Sequence, residues 1–284
     1  MPKLSREEAH SLDATSTNHA HWQDLAAVHG EGRDAYYDVD ALVAGRTAMT
    51  EYEERAIELS GGVEGRDVLH VQCHIGFDSV TFAQRGARVT GVDFSVLALA
   101  KARRIAERAG VQVEWVEANT LALPESLSSR FDLAYASIGA ICWIADLARW
   151  MRNVAATLRP GGRLVLVELH PAYAMLGSCE PLIVDFPYSF DGPHAFSEPG
   201  SYANKAAPVA ASTSVCFAHD LSEIINGALD AGLRIERLFE HLSCAFDPRG
   251  GVAARESDGR HRARLGGPSG EPVPMLFTLL ATRA

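Results

Sequence analysis

The period of the apolar positions changes several times along the chain, and each change marks an element. DVLHVQ (67–72) sets Val68, Leu69 and Val71 in a run of strand length, and FDSVTFAQRG, just beyond it, has helical spacing up to a stop at Gly86. ARVTGVD (87–93) predicts a second strand ending at Asp93. SVLALAKARRIAERAG (95–110) is an amphipathic helix, with Ser95 as N-cap and Gly110 closing it. VQVEWVEAN, FDLAYAS and RLVLVELH give three further strands, and DLARWMRNVAATLRPGG between the last two gives a helix ended by its Pro-Gly-Gly turn. Strand and helix alternating at this spacing predict βαβ units and a parallel sheet, whose strands are covered on both faces.

After His170 the pattern breaks. Residues 171–218 are rich in Pro, Tyr, Phe and Ser without a period, the signature of a long functional loop. Order resumes at HDLSEIINGALDAGL, where Asp220 followed by Glu223 is a helix-start signal and Gly232 a stop. RIERLFEHL and PMLFTLLATR predict two final strands, with a surface loop over 243–274 between them. The first 60 residues are expected to be mostly helical, TAMTEYEERAIEL being the clearest piece, and their Trp22, Tyr36 and Tyr37 are expected to pack over a site. The division expected is therefore an N-terminal helical cap (1–60) and one cofactor-binding domain (61–284) with 171–218 as an insert.

Composition adds mostly exclusions. The 284 residues are 47% hydrophobic and 22% charged, ample for a core, and the net charge is -10. Scattered basic residues argue against nucleic acid, and RHRAR (260–264) reads as a solvated loop. Five cysteines, Cys73, Cys142, Cys179, Cys216 and Cys244, stand far apart with no CxxC, which suits reduced thiols rather than disulfides or zinc. A polar N-terminus and strand-sized apolar runs suggest a cytoplasmic chain without a membrane partner.

The candidate chemistry lies at the carboxyl ends of the strands, where parallel sheets bind ligands. A turn with Gly76 follows the first strand and permits close backbone approach. Asp93, ending the second, can accept two ribose hydroxyls, and Asn119, ending the third, can bond an adenine amino group. Phe94 and Leu121 could sandwich the base. Singly, Asp93 reads as a helix cap and Asn119 as a turn residue; their joint placement favours a ligand.

These motifs resemble the class I S-adenosylmethionine (SAM) dependent methyltransferases. VLHVQCHIG stands at the SAM loop, VTGVDFS at the acidic strand end, VEAN at the adenine strand, FDLAYASIGAICW after strand four and LRPGGRLVLVELH at strand five. The family's first loop has an acid, one residue, then Gly-Cys-Gly-x-Gly. Here His70 replaces the acid, and Gln72 and His74 replace two glycines. A subgroup with a first motif LHLQCH-x-G-x-D and a later His-Pro is also similar. The resemblance implies a Rossmann-like α/β fold, with a seven-stranded, mostly parallel sheet, the last strand antiparallel, and helices on both faces. It also implies SAM as cofactor, held by Tyr37, Gln72, Cys73, His74, Gly76, Asp78, Asp93, Phe94, Ser95, Asn119, Thr120, Leu121, Ser137 and Ile138. A dinucleotide enzyme would instead show GxGxxG, which is absent.

The acceptor is expected to be a small molecule, for instance a secondary metabolite, methylated on O, N or C. ASIGA stands where base-amine methyltransferases carry Asn/Asp-Pro-Pro-Tyr/Phe, there is no Pro-Cys dipeptide, and ELH offers a single carboxylate, so neither nucleic acid nor metal is expected. His170 is the candidate base and is as readily a loop-shaping residue; Tyr173, Trp143 and Tyr202 are candidates to line the acceptor pocket and are as readily core. His219 and Glu223 lie at the start of the helix after the insert. Two alternatives stay open. A cyclase could let SAM's own amine attack its γ-carbon, giving azetidine-2-carboxylate and methylthioadenosine. A non-catalytic SAM-binding protein is the other. An oligomer is compatible with the sequence.

Overall fold

The computed structural model describes residues 3–30, 36–47, 49–179, 182–204, 206–266 and 269–284. Its centre is a seven-stranded sheet. The strands are β1 Asp67–Val71, β2 Arg88–Asp93, β3 Val113–Glu117, β4 Phe131–Ala136, β5 Leu158–Leu169, β6 Leu233–His241 and β7 Leu276–Arg283. Their order is β6-β7-β5-β4-β1-β2-β3, with β7 antiparallel to both of its neighbours and the β1–β5 ladder parallel. The sheet is thus the expected class I methyltransferase sheet. The chain order reverses between β1 and β4, so a ligand crevice opens beyond the carboxyl ends there.

The helices are α1 Arg6–Ser11, α2 Ala14–Val28, α3 Val39–Val43, α4 Glu51–Leu59, α5 Phe77–Gln84, α6 Val96–Arg108, α7 Leu147–Thr157, α8 Pro171–Ala174 and α9 Leu221–Asp230. Local chemistry starts and stops them. Ser95 accepts from the amide of Ala98, Asp146 from Arg149 and Asp220 from Glu223, while Gly110 and Gly232 take positive φ after the last turns. One face of the sheet is packed by Trp150, Met151 and Val154 of α7 with Ile224 and Ala228 of α9. The other is packed by Ala56 and Ile57 of α4 with Phe82 of α5 and Val68, Leu133 and Val165 of the strands. Fully burying one such aliphatic or aromatic side chain stabilises the fold by about 1.5–3 kcal/mol.

Three regions differ from the sequence reading. Residues 171–218 are not structureless. They hold α8, a hairpin of Leu176–Cys179 with Leu182–Val184, and a hairpin of His194–Ser197 with Thr213–Cys216. The 243–274 segment is not a plain loop but a small three-stranded sheet (Ala254–Arg255, His261–Arg264, Pro272–Val273). Inside it Arg262 and Arg264 of RHRAR both pair with Glu256 instead of lying in solvent. These strands are too short for a period and rest on distant partners. Lastly, α7 ends at Thr157, before the Pro-Gly-Gly turn; Leu158 already pairs with Phe131 of β4, and the register shifts past the turn.

Candidate functional site

The loop after β1 solves its shortage of glycine with side chains. Gln72 and His74 stand in the left-handed region at φ 56 and 49, a conformation glycine takes freely and other residues rarely. Each is held there. The Gln72 amide donates to Ala140 O at 2.9 Å and accepts from the Trp150 indole at 2.9 Å. The His74 amide donates to Asp93 Oδ2 at 2.8 Å, and its Nε2 lies 2.7 Å from His29 Nδ1. Gly76, at φ 77, opens α5; a Cβ there would lie 2.5 Å from Trp115 Cη2 and 2.9 Å from Ala102 Cβ. Its close approach is therefore to β3 and α6. Cys73 is buried, and a Cβ on Gly91 would lie 3.0 Å from its sulfur, so it packs towards β2.

Asp93 is buried with both oxygens oriented. Oδ2 takes the His74 amide, and Oδ1 takes the Ser95 amide at 2.8 Å. Burial raises its pKa to about 6 against the pull of those amides. Each oxygen keeps a lone pair for a hydroxyl. Beside it a hollow of about 360 Å³ is lined by Phe94, Glu117, Ala118 and Asn119 from the sheet edge. Its other wall is Thr15, Ser16 and His19 of α2, and the His19 ring stands edge-on to Phe94 at 5.3 Å. The volume falls in the range of small-molecule sites. Asn119 Oδ1 accepts from the Leu121 amide at 2.9 Å, which caps the turn Thr120–Ala122. Thr120 is buried and Leu121 packs against the core, so those two turn away from the hollow.

The roof is α2. Gln23 Oε1 accepts from Ser95 Oγ at 2.5 Å and from the Leu97 amide at 3.0 Å, and Lys101 Nζ donates to His29 O at 2.6 Å. On its other side Asn18 exchanges two bonds of 2.8 Å with Val215, and Asp24 accepts from the Ala211 amide at 2.7 Å. α2 thus ties the sheet edge to the insert.

Around His74 the rings converge. Trp22 lies 5.1 Å from His74 and 5.3 Å from Trp143; Tyr37 lies 5.7 Å from His74 and 5.2 Å from Phe77; His29 lies 4.7 Å from Tyr202. The Tyr37 and Tyr202 hydroxyls are hydrogen-bonded. His74 Nδ1 is buried and has no hydrogen-bond partner among the described residues, and burial beside His29 and Lys101 keeps the ring neutral.

A carboxyl pair flanks the end of β4. Asp78 Oδ2 accepts from Ser137 Oγ at 3.2 Å, and the Tyr135 hydroxyl donates to Glu53 at 2.7 Å while lying 3.3 Å from Asp78. Burial, then the neighbouring acid, pushes the Asp78 pKa up; burial does the same to Glu53. Ile138 packs against both core clusters that meet there. The 139–141 backbone is gripped by Glu168, whose carboxylate accepts from Gly139 (2.5 Å), Ala140 (2.7 Å), Ile141 (3.0 Å) and Leu169 (2.6 Å).

His170 and Tyr173 stand apart from this wall. His170 Nδ1 accepts from the Ala172 amide at 3.0 Å and caps α8, so Nε2 carries the proton and donates to Glu240 at 2.8 Å. Tyr173 is fully buried, and its hydroxyl donates to Asp247 under the small sheet. His219 bonds Glu223 at 2.9 Å and Ile144 O at 2.8 Å, holding α9 to the segment after β4. Sequence reasoning had no hold on Thr15, Ser16, His19, Gln23 and His29, which reach the site by tertiary packing. Glu168 had a signal, a lone acid in an otherwise apolar strand.

Comparison with known proteins agrees with this geometry. Residues 68–162 match the family model described as "Methyltransferase domain". That segment is similar to methyltransferase domains, and the sheet it belongs to has the class I methyltransferase strand order. The ubiquinone biosynthesis O-methyltransferase of Alkalilimnicola ehrlichii is 34% identical over 110 residues, 39% of this chain and 44% of that protein. The demethylmenaquinone methyltransferase of Thermus thermophilus is 32% identical over 137 residues, 48% of this chain and 61% of that one. The chain thus spans about half the length of the curated relatives it matches. Among solved structures, a SAM-dependent methyltransferase from Mesorhizobium loti superposes with a TM-score of 0.55 at 23% identity, covering 81% of this chain and 97% of that one. The [4+2]-cyclase SpnF reaches 0.55 at 15% identity, covering 94% and 96%. The domain fold therefore carries more than one chemistry.

Proposed function

We propose that the protein is a SAM-dependent methyltransferase that acts on a small molecule. The observation that carries this reading is the hollow beside Asp93 and Asn119 within a methyltransferase domain, roofed by α2. Asp93 receives the ribose hydroxyls, Phe94 and Asn119 the adenine, and the 72–78 loop with Ser137 and Ile138 the methionine half. SAM supplies an electrophilic methyl group when bound. The protein's own work is to align the acceptor with that methyl and exclude water. Trp22, Tyr37, Trp143 and Tyr202 do so from α2, the 36–37 segment, the turn after β4 and the insert; their faces also favour a sulfonium. In this reading 1–60 closes the site and 171–218 selects the acceptor. His170 acts as a base only if its unprotonated Nδ1 gives up its bond to the Ala172 amide.

The mutual contact of those rings supports a second reading, in which SAM reacts alone in a closed space to give azetidine-2-carboxylate and methylthioadenosine. Mass spectrometry of SAM-derived products separates the two. S-adenosylhomocysteine that forms only with an added acceptor supports methyl transfer. Methylthioadenosine from SAM alone overturns it in favour of the cyclase. Tight SAM binding with neither product, across a panel of quinol, phenol, amine and carboxylate acceptors, leaves a binding protein.

A further inference from the structure

The sequence places Cys142 and Cys216 74 residues apart, and the fold brings them together. Cys142 lies in the turn Ile141–Trp143 after β4; Cys216 ends the strand Thr213–Cys216 of the insert. The amide of Phe217 donates to Cys142 O at 2.8 Å, which aligns the two backbones side by side. The Cys142 and Cys216 side chains interact. The Cys142 thiol donates to Gly139 O, at 3.6 Å, within its own turn. Both residues are half-buried, whereas Cys73 and Cys244 are buried, and all four are free thiols.

We propose that Cys142 and Cys216 are a reversible disulfide site, which clips the insert to the turn that carries Trp143. With glutathione disulfide as oxidant the chemistry balances. One cysteine, as thiolate, attacks a sulfur of the oxidant, and a mixed disulfide forms as one glutathione leaves. The second cysteine loses its proton and attacks the protein sulfur of that mixed disulfide, and a second glutathione leaves. Two electrons and two protons pass from the dithiol to the oxidant. The reduced pair keeps its insert joined by hydrogen bonds alone; the oxidised pair adds a covalent closure next to Trp143, which touches Trp22 of α2. The Cys216 contact and burial hold the Cys142 thiol well above the ordinary range.

The test uses the full chain, incubated with glutathione disulfide, alkylated without reduction and digested. The expected product is a peptide pair joined through Cys142 and Cys216, which returns to two alkylatable thiols on adding dithiothreitol. In Cys142→Ala, Cys216 should instead retain glutathione. Full alkylation of both cysteines in the folded wild-type protein after oxidation would overturn the proposal. So would a linkage that joins either of them chiefly to Cys73 or Cys244. The wild-type result stands by itself if the variant fails to fold, and it does not depend on SAM being bound.

Discussion

Glu168→Gln tests how the wall of the site is held. In the native protein two oxygens accept four backbone amides, Gly139 and Leu169 on Oε1, Ala140 and Ile141 on Oε2. A glutamine keeps one oxygen and turns an NH₂ towards two amide donors. Two buried donors are then unsatisfied, at about 1–3 kcal/mol each. The expected loss is about 4 kcal/mol, less whatever the turn recovers by moving. For a chain of this size about 2 °C is lost per kcal/mol, so Tm should fall by about 8 °C. Thermal and urea unfolding of both proteins, read by circular dichroism, measure it. SAM affinity should weaken too, because Ser137 and Ile138 lead into the displaced turn. A Tm within about 1 °C of wild type, with SAM affinity retained, would show that Glu168 does not hold this wall.

Four further outcomes are expected. Asp93→Ala should weaken SAM binding by roughly ten- to a hundredfold in a titration, since a hydrogen bond to a charged group is worth about 1.5–3 kcal/mol. The pKa of Asp93 is raised in the fold to about 6. Its contribution to stability is therefore complete below the unfolded carboxyl pKa and is lost as pH rises through about 6, at about 1.4 kcal/mol for each pH unit between the unfolded and folded values. Wild type should thus lose stability relative to Asp93→Asn between about pH 4 and 7, which urea midpoints at each pH will show. Gly76→Ala should cost about 2–4 kcal/mol in urea unfolding, because the residue needs positive φ and its Cβ would meet Trp115 at 2.5 Å. His170→Ala should cost about 0.5–2 kcal/mol as a lost helix cap and leave SAM affinity unchanged; a loss of turnover larger than the loss of folded protein would restore His170 as a base.

The sheet was legible because its signals are local. Each strand of the β1–β5 run carries its own apolar run, and each helix its own cap and stop, as Ser95 and Gly110 do for α6. The strand ends were legible for the same reason, so the order of motifs alone puts Asp93 and Asn119 at one edge. The insert was not, because its hairpins depend on partners such as Asn18, far along the chain. The small sheet hangs on Asp247 and Glu256, whose neighbours in sequence give no hint of those bonds. The contacts that seat α2 over the hollow escaped too, because α2 has little amphipathic character; its polar Asn18, Gln23 and Asp24 are the residues that bind other elements. The glycine-poor loop was legible as a turn between strand and helix but not as a backbone. Nothing in QCH shows that Gln72 and His74 take glycine's conformation, with Trp150 and His29 as their supports.

The central claim is that SAM occupies the edge formed by Asp93, Asn119 and α2, and its most direct measurement is isothermal titration of the full chain with SAM. The account predicts saturable binding at one site per chain, weakened in Asp93→Ala while that variant keeps its fold. No saturable heat from wild type at millimolar SAM, or binding indifferent to Asp93, would contradict it.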